Sequence, residues 1–240
     1  MRIFVTAGNT QVPIDRVRCI TNIFSGRTGA AIALEAHRRG HHVCLATSHP
    51  EVIAPPPTPV GWECHSYRTF DQLETLMARY LADAKQDVVV HCAAVSDYLT
   101  GGIYAPAPGT TFDLALSVWN ADRSAPTLLG RSAGKVKSDE PELWLRLVRA
   151  PKLVDKIRND WRFDGILVKF KLEVGVNENE LQAIAEQSRQ HSAANWMVAN
   201  TLEGAGEWAL LGRAQAYKKV TRAELASALL DVIESEAPHG

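Results

Sequence analysis

Short β-forming runs alternate with helix-periodic stretches through the first hundred residues, and that alternation restricts the folds open to this chain. Arg2–Thr6 (RIFVT) and His42–Thr47 (HVCLAT) read as strands, and Val88–His91 holds a continuous apolar run, VVV. A run apolar on both faces suits a strand covered from both sides, as in a parallel sheet. Between the strands, Gly26–Arg39 reads as a helix opened by Ser25 and closed by Gly40, where a left-handed cap is wanted. Leu73, Leu76, Met77, Tyr80 and Leu81 recur at steps of three and four after Asp71, which marks a second, amphipathic helix. Strands alternating with helices imply parallel βαβ units, whose ligands bind at the carboxyl ends of the strands. The loops after Thr6, Thr47 and Cys92 are therefore the candidate sites.

The remainder continues the pattern with one interruption. Leu143–Val148, Ile166–Phe170 and Trp196–Ala199 read as strands, Lys152–Asn159 as a short helix, and Glu178–His191 as a helix carrying Leu181, Ile184 and Ala185 inward. Glu207–Lys219 reads as a hairpin around Gly212-Arg213. The last helix starts at a capping box, Thr221 with Glu224, and buries Leu225, Leu229, Val232 and Ile233. Leu99–Gly134 carries Pro, Gly, Ser and Thr throughout with weak periodicity, as a lid or binding loop does. The Pro-rich Ala54–Pro59 is a stiff surface connection. No repeat or clear linker divides the chain. The expectation is one α/β domain over residues 1–240, a Rossmann-like doubly wound, mostly parallel sheet with helices on both faces and a flap over 99–137.

The bulk numbers exclude more than they assign. A net charge of -1 offers no bulk attraction to nucleic acid or to an anionic membrane, so an anionic substrate needs a local cluster of cations. No apolar run approaches the roughly 20 residues of a membrane span, and MRIFVTAG lacks a signal-peptide core, which makes the cytoplasm the expected location. Cys19, Cys44, Cys64 and Cys92 form no CxxC pair and no metal-like spacing with histidine. They read as small buried apolar side chains in a reducing compartment.

Chemistry concentrates in Thr6–Gly29, TAGNTQVPIDRVRCITNIFSGRTG. A strand ends in a glycine turn, passes through a polar loop, and enters a helix at Ser25-Gly26-Arg27-Thr28-Gly29. Small residues at a helix start leave N–H groups open to an anion, and Arg18 and Arg27 add charge. The glycines alone suit an ordinary βα loop as well as a phosphate site. A nicotinamide fingerprint needs three glycines in one tight turn, whereas Gly8 stands alone here and Gly26 and Gly29 lie far downstream. The Tyr-x-x-x-Lys pair of short-chain dehydrogenases is also missing, since Tyr98 is followed by Gly102.

This segment resembles the signature of phosphopantothenoylcysteine synthetases, TAG-x-T-x-x-P-[ILV]-D-x-VR followed by [ST]N-x-x-[ST]G-x-x-G. Cys92–Tyr98 (CAAVSDY) is similar to the family's AAV-[AS]-DY. Lys135-Val136-Lys137 with Ala150-Pro151 resembles its lysine flap and the turn that follows. Phe170–Glu173 (FKLE) and Trp196–Asn200 (WMVAN) match two further segments in order. The resemblance is weakest across residues 99–134.

The resemblance implies a ligase of coenzyme A biosynthesis. It would activate the carboxylate of 4'-phosphopantothenate with a nucleoside triphosphate, CTP ahead of ATP, and then form the amide with cysteine. It implies Mg2+ but no flavin, and a homodimer with the site at its interface. Arg18 and Asn22 match residues that handle phosphopantothenate and the intermediate, and Lys135 matches the flap lysine; these are the expected catalytic residues. Gly8, Ser25, Gly26, Gly29, Ala93, Ala94, Asp97, Lys137, Ala150, Pro151 and Phe170 are the expected substrate and nucleotide contacts, with Asp97 the magnesium candidate. One departure stands out. Where bacterial members carry a lysine cluster before the Ala-Asn strand, this chain has Ser188-Arg189-Gln190-His191-Ser192.

Overall fold

The computed structural model describes residues 1–83, 86–122, 125–214 and 216–236. In chain order the strands and helices are β1 (Arg2–Ala7), β2 (Gln11–Pro13), β3 (Cys19–Thr21), α1 (Arg27–Arg38), β4 (His42–Thr47), β5 (Trp62–Ser66), α2 (Phe70–Ala78) and β6 (Val88–His91). Then come β7 (Tyr98–Pro106), β8 (Thr110–Asp113), β9 (Val118–Ala121), β10 (Leu128–Gly130), β11 (Trp144–Arg149) and α3 (Leu153–Asn159). The chain closes with β12 (Ile166–Glu173), α4 (Glu178–His191), β13 (Trp196–Thr201), β14 (Trp208–Arg213), β15 (Ala216–Thr221) and α5 (Leu225–Glu236). These elements form two compact units, one of residues 1–10, 23–95 and 152–240, the other of 11–22 and 96–151.

The first unit is the doubly wound sheet. Its eight strands run in the order β15-β14-β13-β12-β6-β1-β4-β5, parallel from β5 to β13 and antiparallel at β14 and β15. Among the six parallel strands the spatial order is 3-2-1-4-5-6, so the winding reverses between β1 and β6, where such sheets bind nucleotides. Alternate residues of β1 serve opposite faces. Ile3, Val5 and Ala7 join Ile32, Ala33 and Ala36 of α1 and Leu225, Leu229 and Ile233 of α5 in one core. Leu181 and Ala185 of α4 pack on Met197 and Ala199 of β13 with Leu210. The expected capping box at Thr221 and Glu224 is present.

The entry to α1 differs from expectation. The helix begins at Arg27, and its cap is Gly26, left-handed at φ 79° and without a side-chain hydrogen bond, rather than Ser25. The exit is as expected: Gly40 takes φ 86°, and its N–H bonds the carbonyl of His37. The second helix starts at Phe70 under a Thr69–Gln72 capping box that the spacing of apolar residues did not reveal. It loosens into a π turn over Arg79–Asp83.

The second unit is made of strands. Residues 99–134, read as irregular, contribute β7 to β10, with β10, β7 and β11 in one antiparallel sheet and hairpins at β2–β3 and β8–β9. Phe112, Trp119 and Trp144 pack ring on ring at 4.5–5.0 Å. The expected flap and the 207–219 hairpin include residues 123, 124 and 215, which lie outside the described residues.

Leu229 is fully buried where α5 meets α1. Leu229→Ala should lower the unfolding free energy by about 2–5 kcal/mol, read from a urea melt, because α5 cannot close the gap without leaving α1.

Candidate functional site

A cavity of about 300 Å³ opens at the carboxyl ends of β1, β6 and β12, where the winding reverses. Gly8 and the Ser25–Thr28 turn form one wall, Cys92–Ala94 a second and Phe170–Leu172 a third, with Asn200 and Arg222 at its rim. Glycines 8, 26 and 29, which the sequence separates, meet here. A Cβ on Gly26 would lie 2.3 Å from the amide nitrogen of Gly8, and one on Gly29 would lie 2.7 Å from the Ala7 Cβ. Gly8 itself takes φ 89°. Together the three supply the tight turn, the open backbone and the close helix-to-strand approach that a compact dinucleotide loop supplies within six residues. The departure between them is the 11–22 segment, which belongs to the second unit.

The amino end of α1 is built in a way that suits an anion. It has no side-chain cap and no acidic residue in its first turn, so its dipole faces the cavity unopposed by a carboxylate there, while the Gly29 N–H meets the Cys92 thiol. Arg27 lies in that turn, and the Arg222 guanidinium reaches it by donating to the Thr28 hydroxyl.

The two loops of the crevice are pinned to each other. The Ala94 N–H donates to the Gly8 carbonyl at 2.8 Å, and the Thr10 N–H donates to Ala94 at 3.3 Å. Ser48 donates to the Asn9 side-chain oxygen at 3.0 Å and accepts from its backbone N–H at 2.8 Å. The Tyr67 hydroxyl donates to the Ala7 carbonyl at 2.7 Å. Beneath them, Thr6 Oγ1 accepts the Ala93 N–H at 3.2 Å and bonds His91 Nδ1 at 3.0 Å. Burial holds His91 neutral, its pKa pushed down to about 4 with the Lys169 charge assisting. Burial also pushes the Cys92 thiol up to about 12, so this lining cysteine is no thiolate nucleophile at neutral pH. The Lys169 ammonium bonds Ser188 O at 3.1 Å and Ser192 Oγ at 2.5 Å, so strand β12 puts a cation in the stretch that lacks lysines.

The second unit gathers a different set. Asp15 accepts hydrogen bonds from the backbone N–H of Val17 at 2.9 Å, of Arg18 at 2.8 Å and of Val136 at 3.0 Å. The Arg18 guanidinium bonds Asp15 Oδ2 at 2.6 Å and the Val136 carbonyl at 2.7 Å. This guanidinium, with the N–H donors, holds the Asp15 carboxyl well below the ordinary carboxylate range. Val136 is buried, and exposed Lys135 and Lys137 flank it beside Arg18 in one open concavity. Half-buried Asn22 follows β3, and exposed Asp97 precedes β7, its carbonyl accepting the Ala150 N–H at 2.9 Å. Pro151 follows, exposed.

Thus Gly8, Ser25, Gly26, Ala93, Ala94 and Phe170 share the first unit's cavity, with Gly29 packed beneath it. Arg18, Lys135 and Lys137 share the second unit's concavity. Asp15, Arg222, Asn200 and His91 were not singled out, although Asp15 and Asn200 stand inside the quoted motifs and only their roles were missing. Arg222 had no sequence signal beyond its place before a helix. The cysteines need correction: Cys19 and Cys64 are exposed, because their strands β3 and β5 present those faces to solvent.

Residues 1–103 match the model of the DNA/pantothenate metabolism flavoprotein C-terminal domain. The likeness continues beyond them: over 239 residues the chain is 34% identical to the Coenzyme A biosynthesis bifunctional protein CoaBC of Thermococcus kodakarensis, covering 97% of this chain and 51% of that protein. Over residues 1–103 the chain is similar to that family. It spans about half the length, or less, of the curated relatives it matches. The DNA/pantothenate metabolism flavoprotein of Streptococcus pneumoniae, a crystal structure, is 26% identical with a TM-score of 0.79, covering 99% of this chain and 100% of that one. A Cab2 mutant solved with phosphopantothenate-cysteine shares the fold at 15% identity and a TM-score of 0.60, over 98% of this chain and 89% of its own. The family segment 1–103 takes in the whole glycine cradle together with Asn22, Ala93, Ala94 and Asp97.

Neutral, buried His91 makes stability depend on pH. Its ordinary value of 6.5 applies when unfolded and about 4 when folded, so the unfolded chain binds a proton in that window that the fold refuses. Stability should fall as pH drops from 6.5 toward 4, by roughly 1–2 kcal/mol between pH 7 and 5. His91→Gln should flatten that dependence of the urea midpoint.

Proposed function

We propose that this chain joins 4'-phosphopantothenate to cysteine in coenzyme A biosynthesis, activating the carboxylate with a nucleoside triphosphate, CTP in preference to ATP. The observation that carries the proposal is the uncapped amino end of α1, laid by three glycines against β1 and flanked by Arg27 and Arg222. The ligand named with the Cab2 mutant, phosphopantothenate-cysteine, is the product this reaction makes.

In the first step the substrate carboxylate attacks the α-phosphorus and pyrophosphate leaves, giving an acyl-nucleotide. The α1 amides and the two arginines offset the triphosphate charge. The open backbone of Gly8, Ala93 and Ala94 lets the reacting carboxylate approach, and Phe170 flanks the base. In the second step the cysteine amine attacks the acyl carbon and the nucleoside monophosphate departs. Asn22 donates its amide N–H to the acyl oxygen as negative charge develops there. Arg18, oriented by Asp15, holds the phosphopantothenate phosphate, and Lys135 with Lys137 covers the mixed anhydride against water. Ala150 and Pro151 contact the substrate or the nucleotide. Asp97, an exposed carboxylate suited to a site of one carboxylate plus phosphates, would hold magnesium, which would supply neutralising charge to the phosphate oxygens. The working unit is a homodimer in the cytoplasm, with no flavin; no helix of the described residues is long and apolar enough to cross a membrane.

Pyrophosphate release from the purified chain with 4'-phosphopantothenate, cysteine and magnesium, run with CTP and ATP side by side, tests the proposal. Release that depends on substrate is expected, faster with CTP; silence with both nucleotides from folded protein would sink it. Lys135→Gln should cut turnover by about 10²-fold or more with an unchanged Tm, since Lys135 is exposed. Asn22→Asp should still release pyrophosphate yet accumulate acyl-nucleotide, and full product formation by that variant counts against its role.

A further inference from the structure

At the other end of the sheet lies a group of side chains that the proposed reaction does not use. Parallel pairing sets Cys44 of β4 opposite Glu63 of β5 and Ala46 opposite His65, so Cys44, Glu63 and His65 share one face. Their sulfur, oxygen and nitrogen donors all lie within 4.8 Å of one another. The Tyr80 hydroxyl, brought in by the π turn, donates to Glu63 Oε2 at 2.8 Å and bonds His65 Nε2 at 2.6 Å. It meets the Cys44 thiol as well, so the hydroxyl stands among the three donors and a bound ion would take its place. A cavity of about 240 Å³ reaches Cys44, Glu63 and Tyr80 from the amino ends of β1 and β4, past Arg2 and His42.

The geometry points to a divalent transition-metal site, with zinc the ion that fits, held by Cys44, Glu63 and His65. One thiolate, one imidazole and one carboxylate form the mixed set that zinc accepts, and the cavity leaves room for water at a fourth position. Two negative ligands balance the charge of the ion. Bond lengths of about 2.0–2.3 Å require the donors to draw inward by roughly an ångström, within reach of side chains on adjacent strands. On binding, the Cys44 thiol gives its proton to solvent as the metal–sulfur bond forms. The ion would clip β5, the last strand on its side of the sheet, to β4. Sequence spacing hides this set, because eighteen residues part Cys44 from Glu63 and only strand pairing brings them together.

Titration of Co2+ into the purified chain, followed by Zn2+, decides the matter. The expected result is one equivalent bound, with a thiolate-to-cobalt charge-transfer band that zinc abolishes. The band should vanish in Cys44→Ser and persist in Cys64→Ser, whose side chain points to the opposite face. His65 is partly exposed, so His65→Gln leaves the fold intact should Cys44→Ser fail to fold. That variant should bind zinc at least about tenfold more weakly and lose the zinc-induced rise in Tm. No band in the wild type, a band surviving Cys44→Ser, or an unchanged zinc response in His65→Gln would overturn the site.

Discussion

The approach of α1 to the end of β1 governs the rest of this molecule. With a would-be Cβ of Gly26 only 2.3 Å from the Gly8 nitrogen, no side chain can enter there without lifting the helix off the strand. The same contact aims the helix axis at the cavity and lays Ile32, Ala33 and Ala36 on the sheet. At the far end, Arg39 donates to Glu35, Asp231 and Glu234, which fixes α5 along α1. Glu35 responds with a pKa lowered to about 2, chiefly through the Arg38 hydrogen bond and then that of Arg39. Since α5 follows directly on Arg222, the position of a cation at the cavity rim traces back to the glycines.

The second unit has its own organiser of a different kind. One carboxylate, Asp15, binds three backbone N–H groups and the Arg18 guanidinium, and the guanidinium in turn holds the Val136 carbonyl. Segments more than a hundred residues apart are thereby joined by charge-assisted hydrogen bonds. Such bonds fix direction as well as distance, which suits a place where three cations must stand close together without an acidic partner for each.

The sheet was legible because its signals are local. VVV in β6, the period of α4 and the capping box of α5 each announce themselves within a dozen residues, and all three elements stand where the pattern puts them. Of the second unit only β11 was legible, because its other strands are short or broken by glycine. Gly102 sits at φ 142° against the Tyr104 ring, and the register shifts between Arg146 and Leu147. In the site, the glycines and Arg18 stood out by residue type. The cap of α1 was misread because Ser25 is the commoner capping residue and only the backbone angle reveals Gly26 in its place. His91 and Arg222 owe their roles to neighbours 85 and 194 residues away, a relation no local pattern carries.

The interlock of α1 with α5 also bears on how the chain is made. Of the strands in this sheet β1 is made before the others, yet it lies in the middle of the finished sheet, between β4 and β6. The core that its Ile3, Val5 and Ala7 share with α1 is completed only when α5 has emerged to pack against α1. Arg222 arrives at the cavity on the same schedule, and Trp196 waits for Glu236 to accept its indole N–H at 2.7 Å. The glycine cradle between β1 and α1 is thus complete only once α5, more than two hundred residues further along, has been made.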